Sequence, residues 1–147
     1  MNLMDRLAAC ATQVEKPGRM IVRGLDGKPL RAEDGSLTWF DVYSADSEIA
    51  RKYERAVADE RLASRGRSQP TAADLDRESI DILVALTAGW GVRKVAEGKA
   101  DEDIAAEDFT PELARKLYTD PQHADIRRQV NEYAAARVNF AKASPMK

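Results

Sequence analysis

Two Asp-Gly pairs, Asp26-Gly27 and Asp34-Gly35, constrain the fold of this chain more than any other feature. Glycine accepts the positive φ that tight hairpin turns require, so each pair predicts a reversal of an extended chain. The segments beside the turns predict three strands, over residues 20–25, 28–32 and 37–44. We therefore expect a small antiparallel meander over residues 19–44, which needs an apolar partner for one face because such a sheet is marginal alone.

From residue 46 onward the spacing of apolar residues becomes helical. Asp46 or Ser47 can cap a first helix, and Thr71 can cap a second one with Asp74 completing a capping box. Thr110 before Pro111 is a third start signal, because proline is favoured at the first helical position. A last helix is expected over residues 121–143, which begins with the same kind of signal.

The apolar run from Ile80 to Trp90 predicts the central core helix, ending around Trp90 at two glycines. The acidic residues 92–108 are expected to form a loop. The predicted fold class is α+β: a small N-terminal antiparallel β-hairpin or meander, followed by a mostly helical bundle of about four helices over residues 46–143. Without an internal repeat or a long linker, the chain of 147 residues is expected to be a single domain over 1–147.

Composition argues against several classes of function. The chain carries 23 basic and 25 acidic residues, so it lacks the basic excess of a dedicated nucleic-acid binder. Its one cysteine, Cys10, and one histidine, His123, cannot build a Cys- or His-based metal site. No phosphate-binding loop is present, and no apolar run is long enough for a membrane span. We expect no catalytic residue, no metal and no other cofactor, and therefore not an enzyme.

A few residues remain as candidates for chemistry or binding. His123 could act as a general base with Asp120 or Asp125, but the favoured interpretation is an exposed histidine in the first turn of a helix. A basic run over residues 51–67 is either a solvated helix face or a steering patch for an acidic partner. Trp39 and Phe40 are adjacent in a strand and must point to opposite faces, so one of them lies on a partner surface or under a neighbouring element. The partner-binding candidates are Trp39, Tyr43, Arg61, Arg65 and Arg67.

The order of several short segments resembles that of tail assembly chaperones from long-tailed bacteriophages. The similar segments read WFDVYSADS, LTAGWGV, FTPELARKLY and IRRQVNEYAAARVNF, and they span about residues 37 to 140. The specificity of the resemblance lies in this order, since each piece is short. The matching positions are Asp46, Ser47, Trp90, Phe109, Thr110, Pro111, Glu112, Ala114, Leu117, Ile126, Arg127, Gln129, Val130, Asn139 and Phe140.

The resemblance implies a non-enzymatic function. Such chaperones bind the long helical tape-measure protein and keep it soluble until tail-tube subunits polymerise around it. It further implies location in the cytoplasm of the infected bacterial host, absence from the mature virion, and the tape-measure protein as partner, with the tail-tube protein as a further candidate. It leaves homo-oligomerisation open and predicts neither a nucleic-acid partner nor a membrane partner.

Two other hypotheses stay open at this point. A structural virion subunit, such as a tail-completion or head–tail joining protein, would be retained in purified particles. A small regulatory or antitoxin-like module would use the basic run over residues 51–67 and would bind DNA in a salt-sensitive way.

Overall fold

A computed structural model describes residues 2–11, 15–64 and 69–141. Its strands are β1 (Gly18–Ile21), β2 (Leu37–Val42), β3 (Thr87–Lys94) and β4 (Glu102–Ala105). Its helices are α1 (Leu3–Ala11), α2 (Glu48–Ala63), α3 (Ala72–Leu86), α4 (Pro111–Thr119), α5 (Ala124–Ala135) and α6 (Val138–Ala141), and a 3-10 turn (Pro121–His123) precedes α5. The mixed α and β content agrees with the predicted α+β class, but the sheet is larger than predicted.

The four strands form one antiparallel sheet in the order β1-β2-β3-β4. Met20 of β1 lies opposite Phe40 of β2, and Phe40 lies opposite Trp90 of β3. Val92 of β3 then lies opposite Ile104 of β4. Two of the four strands thus come from the segment that the sequence predicted to be a helix end and a loop.

The central helix, α3, ends at Leu86 rather than near Trp90, so the predicted boundary is wrong. The chain becomes extended at Thr87, with φ −86° and ψ 115°, and continues as β3. An apolar run does not distinguish a buried helix from a buried helix followed by a buried strand. The glycines Gly89 and Gly91 disfavour continued helix, and pairing with β2 makes this segment a strand.

The prediction of a loop over residues 92–108 is wrong for β4, whose four residues are all exposed. Glu and Asp are depleted in strands, so local preference gives no signal there. Pairing with β3 determines its structure, and Asp103 accepts a hydrogen bond of 2.6 Å from Arg93 Nε across the two strands.

The two turns predicted in the N-terminal meander are confirmed, with φ of +80° at Gly27 and +83° at Gly35. The predicted strand over residues 28–32 is wrong, because that segment makes isolated bridges only, Arg23 with Pro29 and Arg31 with Leu37. Proline cannot donate to a ladder, so Pro29 prevents regular pairing. β1 and β2 therefore pair with each other directly.

The predicted helix starts are confirmed at three caps. Ser47 Oγ accepts from Ala50 N at 3.4 Å, and Thr110 Oγ1 accepts from Leu113 N at 3.0 Å. Thr71 and Asp74 form the reciprocal capping box. These caps are local, because each donor lies within one turn of its acceptor, and they can therefore be predicted from sequence.

The predicted final helix over residues 121–143 is wrong as one element. It is divided into the 3-10 turn, α5 and α6, and residues 142 and 143 lie outside the described residues. Ala136 leaves helical geometry with ψ 104°, and the Asn139 side-chain amide donates to the Tyr133 carbonyl at 3.0 Å. At the end of α5 the Tyr133 carbonyl is thus satisfied by this side-chain amide and by the Ala136 backbone N–H at 3.3 Å.

Helices α3, α4 and α5 lie on one face of the sheet, where a common hydrophobic core forms. Its largest buried members come from β1, β2, α3, α4 and α5: Met20, Phe40, Val42, Leu83, Leu86, Tyr118 and Val130. The Tyr118 hydroxyl shares a 2.7 Å hydrogen bond with Thr87 Oγ1, and burial raises the pKa of Tyr118 to about 12. Over the described residues, no helix has the length and apolar character that crossing a bilayer requires.

Candidate functional site

The predicted partner-binding residues do not lie together. Trp39 lies in β2, on the face of the sheet away from the helices. Tyr43 directly follows β2 and is half-buried against the core. Arg61 lies in the last turn of α2. Arg65 and Arg67 lie outside the described residues. Among the candidates that the structure describes, Arg61 lines a groove between α2 and α3, which is described below.

Trp39 is only 2% exposed and lies outside the core that the helices form with the sheet. The Arg19 guanidinium lies 3.6 Å from the ring centroid, and the indole N–H donates to the Val92 carbonyl at 3.0 Å. Gly91 of β3 lies opposite Trp39 and close to the Cζ2 edge of the indole ring. A partner would therefore reach the Trp39 ring only after Arg19 moved away.

Arg19 also belongs to a charged cluster that crosses the sheet. It donates to both oxygens of Asp41 at 2.8 and 2.9 Å and to Asp103 at 2.8 Å. Asp103 accepts a second set of bonds from Arg93 at 2.6 and 3.1 Å. The cluster links β1, β2, β3 and β4 through side chains, and no local sequence pattern predicts it because its members are up to 84 residues apart.

The hydrogen bonds from Arg93 and then from Arg19 lower the pKa of Asp103 to about 2 from the ordinary 3.8. A carboxyl with a depressed pKa stabilises the folded state above its ordinary pKa, and this stabilisation is lost as the pH falls through the folded value. We expect Asp103→Asn to lower the free energy of unfolding by about 1 kcal/mol near pH 6. The difference from wild type should shrink as the pH approaches about 2.

Urea unfolding of both proteins at a series of pH values checks this expectation. Asp59→Asn on the exposed side of α2 is the matched control, because Asp59 is not a member of the cluster. A constant difference between wild type and Asp103→Asn across the acid range would show that the charge of Asp103 contributes nothing.

A groove runs between α2 and α3, with a volume of about 490 Å³. Its apolar lining comes from both helices and from the turn before α2: Ala45, Ala50, Val57, Ala58, Leu75, Ile82 and Leu86. The apolar stripe of α2 thins out after Val57, so α2 does not fill the space beside α3. Leu75 remains 51% exposed in this groove.

Polar contacts hold the two walls of the groove together. The Tyr53 hydroxyl donates to the Glu78 carbonyl at 3.1 Å, and Arg61 forms an ion pair with the Glu78 carboxylate. Arg51 and Arg55 pair with Glu48 on another side of α2. Several bases of the run over residues 51–67 are thus paired within the chain, which weakens the reading of that run as a free steering patch.

A second concavity, which we call the aromatic pocket, lies between the sheet and α4, with a volume of about 420 Å³. Its lining is Thr38, Phe40, Trp90, Leu113, Lys116, Leu117, Asp120 and His123. Trp90 stacks edge-to-face on Phe109 at 4.8 Å between ring centroids and lies 5.4 Å from Phe40. The pocket therefore has an apolar interior with polar groups at its edge.

The one histidine lies at this edge, and the acid–base pair that the sequence left possible is not formed among the described residues. Asp120 accepts from the Gln122 backbone N–H at 2.9 Å, and Asp125 accepts from Arg128 and Gln129. Neither carboxylate receives a hydrogen bond from the His123 side chain in the part of the chain that the structure describes. The described side chains likewise include no group of three His, Cys, Asp or Glu residues placed to hold a metal ion.

The positions that carry the phage resemblance act mainly in the fold. Ser47 and Thr110 are caps, and the Gln129 amide both accepts from Arg23 N and donates to Arg23 O, each at 2.8 Å. The resemblance positions buried in the structure are Ser47, Ala114, Val130 and Phe140. Trp90 and Leu117 line the aromatic pocket.

No family model matches this chain, and neither does a curated protein or a solved structure. The fold defines a mixed α/β protein with a four-stranded antiparallel sheet covered by helices on one face. The groove, the aromatic pocket and the sequence resemblance are therefore the features that bear on function.

Proposed function

We propose that this protein is a non-enzymatic tail assembly chaperone of a long-tailed phage, which binds the tape-measure protein and keeps it soluble during tail assembly. The order of the similar segments supports the proposal. The single structural observation that carries it is the apolar groove between α2 and α3. An amphipathic helix lays its apolar face into such a groove, and a tape-measure protein would offer long stretches of such helix.

The dimensions of the groove suit this kind of ligand. Its lining on α2 extends from Ala50 to Arg61, which corresponds to about 16 Å, or about three helical turns. The apolar floor would cover the face of the bound helix that otherwise drives aggregation. Each contact is small, so several copies along one long tape-measure protein would gain strength through avidity.

In this proposal the protein acts in the cytoplasm of the infected host and leaves before the virion is complete. The tail-tube protein would displace it as the tube polymerises around the tape measure. The alternative, a structural virion subunit, makes the opposite prediction, namely that the chain remains in purified particles.

Coexpression with the tape-measure protein of the same phage tests the proposal. We expect the wild-type chain to co-purify with the tape-measure protein and to raise its soluble yield several-fold. Because apolar contacts are little screened, the complex should persist between about 0.1 and 1 M salt, where the Debye length falls from about 10 to 3 Å. Ala58→Glu with Leu75→Glu should abolish the complex, since both side chains are exposed inside the groove.

Ala56→Glu with Leu62→Glu is the matched control, because these α2 residues are exposed but do not line the groove. It introduces the same charge and should leave co-purification unchanged. Absence of the tape-measure protein from the wild-type pull-down at either salt concentration, with the chain folded, would refute the chaperone proposal. Detection of the chain in purified virions would then support the structural subunit.

A further inference from the structure

The N-terminal helix α1 carries an apolar face that none of the residues described by the structure covers. Leu3, Met4 and Leu7 fall on one side of the helix, at the i, i+1 and i+4 spacing of a stripe. Their side chains are 66%, 72% and 54% exposed, respectively. Asn2 Oδ1 accepts from Asp5 N at 2.9 Å, so the helix start is capped and the stripe is held in helical form.

The same chain has a concave apolar surface that suits such a stripe, namely the groove between α2 and α3. The groove is apolar along its floor and open along about three turns of α2, and α1 has nine residues, or about two and a half turns. Helix and groove are therefore complementary in length and in apolar character.

The charges beside the two surfaces are also complementary. Arg6 lies at one edge of the α1 stripe and Asp5 at the other, as their spacing from Leu3 and Leu7 requires. The groove has an exposed carboxylate, Glu54, on its α2 wall. A helix seated in the groove with Arg6 toward that wall would therefore place opposite charges together.

The described residues of α1 do not occupy the groove of their own chain. Glu15 accepts from Glu48 N at 3.0 Å and from Arg51 at 3.4 Å, so it is attached to the first turn of α2. The Glu48 side chain projects from the side of α2 opposite to Val57, which lines the groove. No described residue of α1 lines the groove, and the α1 stripe stays exposed. The stripe is therefore available to a second molecule.

We propose that α1 of one copy binds in the α2–α3 groove of a second copy. Such a contact is heterologous, because the two molecules use different surfaces, and each bound pair leaves one free α1 and one free groove. Association should therefore continue head to tail as the concentration rises. The proposal requires an open groove and does not depend on the tape-measure protein being its other ligand.

Light scattering after size-exclusion chromatography of the full-length chain tests the proposal. The weight-average mass of the wild type should rise above the monomer value of 16.3 kDa across a concentration series. The helix variant Leu3→Ser/Met4→Ser/Leu7→Ser and the groove variant Ala58→Glu/Leu75→Glu should each remain monomeric. All five side chains are exposed, so both variants should retain the wild-type circular dichroism spectrum and melting temperature.

Mixing the two variants gives the decisive result. The groove variant supplies an intact α1 and the helix variant an intact groove, so the mixture should form a dimer of twice the monomer mass and no larger species. Arg6→Glu should weaken wild-type association at low salt, and Glu54→Arg in the same chain should restore it. The control Ala56→Glu/Leu62→Glu should associate like the wild type.

Three outcomes would overturn the proposal. If the groove variant still associates while the helix variant does not, α1 pairs with another α1. If the wild type stays monomeric at every concentration, no contact between copies forms. If both variants associate like the wild type, a different surface is responsible. A failed tape-measure pull-down with a positive mixing result would refute the proposed function and leave this inference intact.

Discussion

Replacing Leu83 with aspartate is expected to leave the chain unfolded at 25 °C. Leu83 lies in the middle of α3 and is 1% exposed, within the core that joins the helices to the sheet. The change removes about 2 kcal/mol of apolar burial and places an unpaired carboxylate in the core at a cost of several kcal/mol more. Together these losses approach the whole stability of a small domain, about 5–15 kcal/mol.

Far-UV circular dichroism during a thermal melt measures this effect. Leu75→Asp on the same helix is the matched control, because Leu75 is half exposed at the groove and its carboxylate would remain hydrated. The control should keep a cooperative transition close to that of the wild type, whereas Leu83→Asp should show none. A Leu83→Asp protein with the melting temperature of the wild type would mean that α3 is not the central element of the core.

The second large effect is expected at Gly91, in the middle of β3. A Cβ atom at this position would overlap the Ile104 carbonyl oxygen of β4 and would lie 2.5 Å from Trp39 Cζ2 and 2.9 Å from Ala105 Cα. The backbone of β4 cannot yield without losing its pairing with β3. We expect Gly91→Ala to lower the free energy of unfolding by about 1–3 kcal/mol and Gly91→Val by more, as overpacking does.

Gly89 provides a matched control two residues earlier in β3. It points to the same face of the sheet, and a Cβ atom there would meet nothing within 4 Å. Gly89→Ala should therefore change stability little, since neither residue has a positive φ that would require glycine. Urea unfolding with tryptophan fluorescence detects both the loss of stability and a displaced Trp39. Equal stability of the two alanine variants would disprove the close approach of Trp39 and β4 to Gly91.

The two open surfaces differ in what they offer a partner. The groove has an elongated apolar floor with Arg61 and Glu54 at its edges, which suits a helix. The aromatic pocket is smaller, at about 420 Å³ against about 490 Å³, and presents Lys116 and His123 beside stacked rings, which suits a single protruding side chain. On the face of the sheet away from the helices the Arg19 cluster covers Trp39, the large aromatic side chain there, so we expect partners to bind on the helical side.

Part of the candidate site could be anticipated from residue type alone. The basic run over residues 51–67 makes Arg61 a candidate for partner binding, and Arg61 lines the groove. The groove itself could not be anticipated, because Ala58 and Leu75 belong to different helices and only the packing of α2 against α3 brings them together. Trp39 was expected either on a partner surface or under a neighbouring element, and it lies under Arg19, which is 20 residues earlier in the chain.

Features that depend only on residues close together in the chain could be predicted from the sequence. They include the caps at Ser47, Thr71 and Thr110 and the glycine turns at Gly27 and Gly35, because donor, acceptor and required φ all lie within a few residues. The strand identity of residues 87–94 and 102–105 depends instead on backbone partners that are distant in sequence. An apolar run is compatible with helix or strand and an acidic run with loop or edge strand, so pairing with β2 and then β3 determined both outcomes.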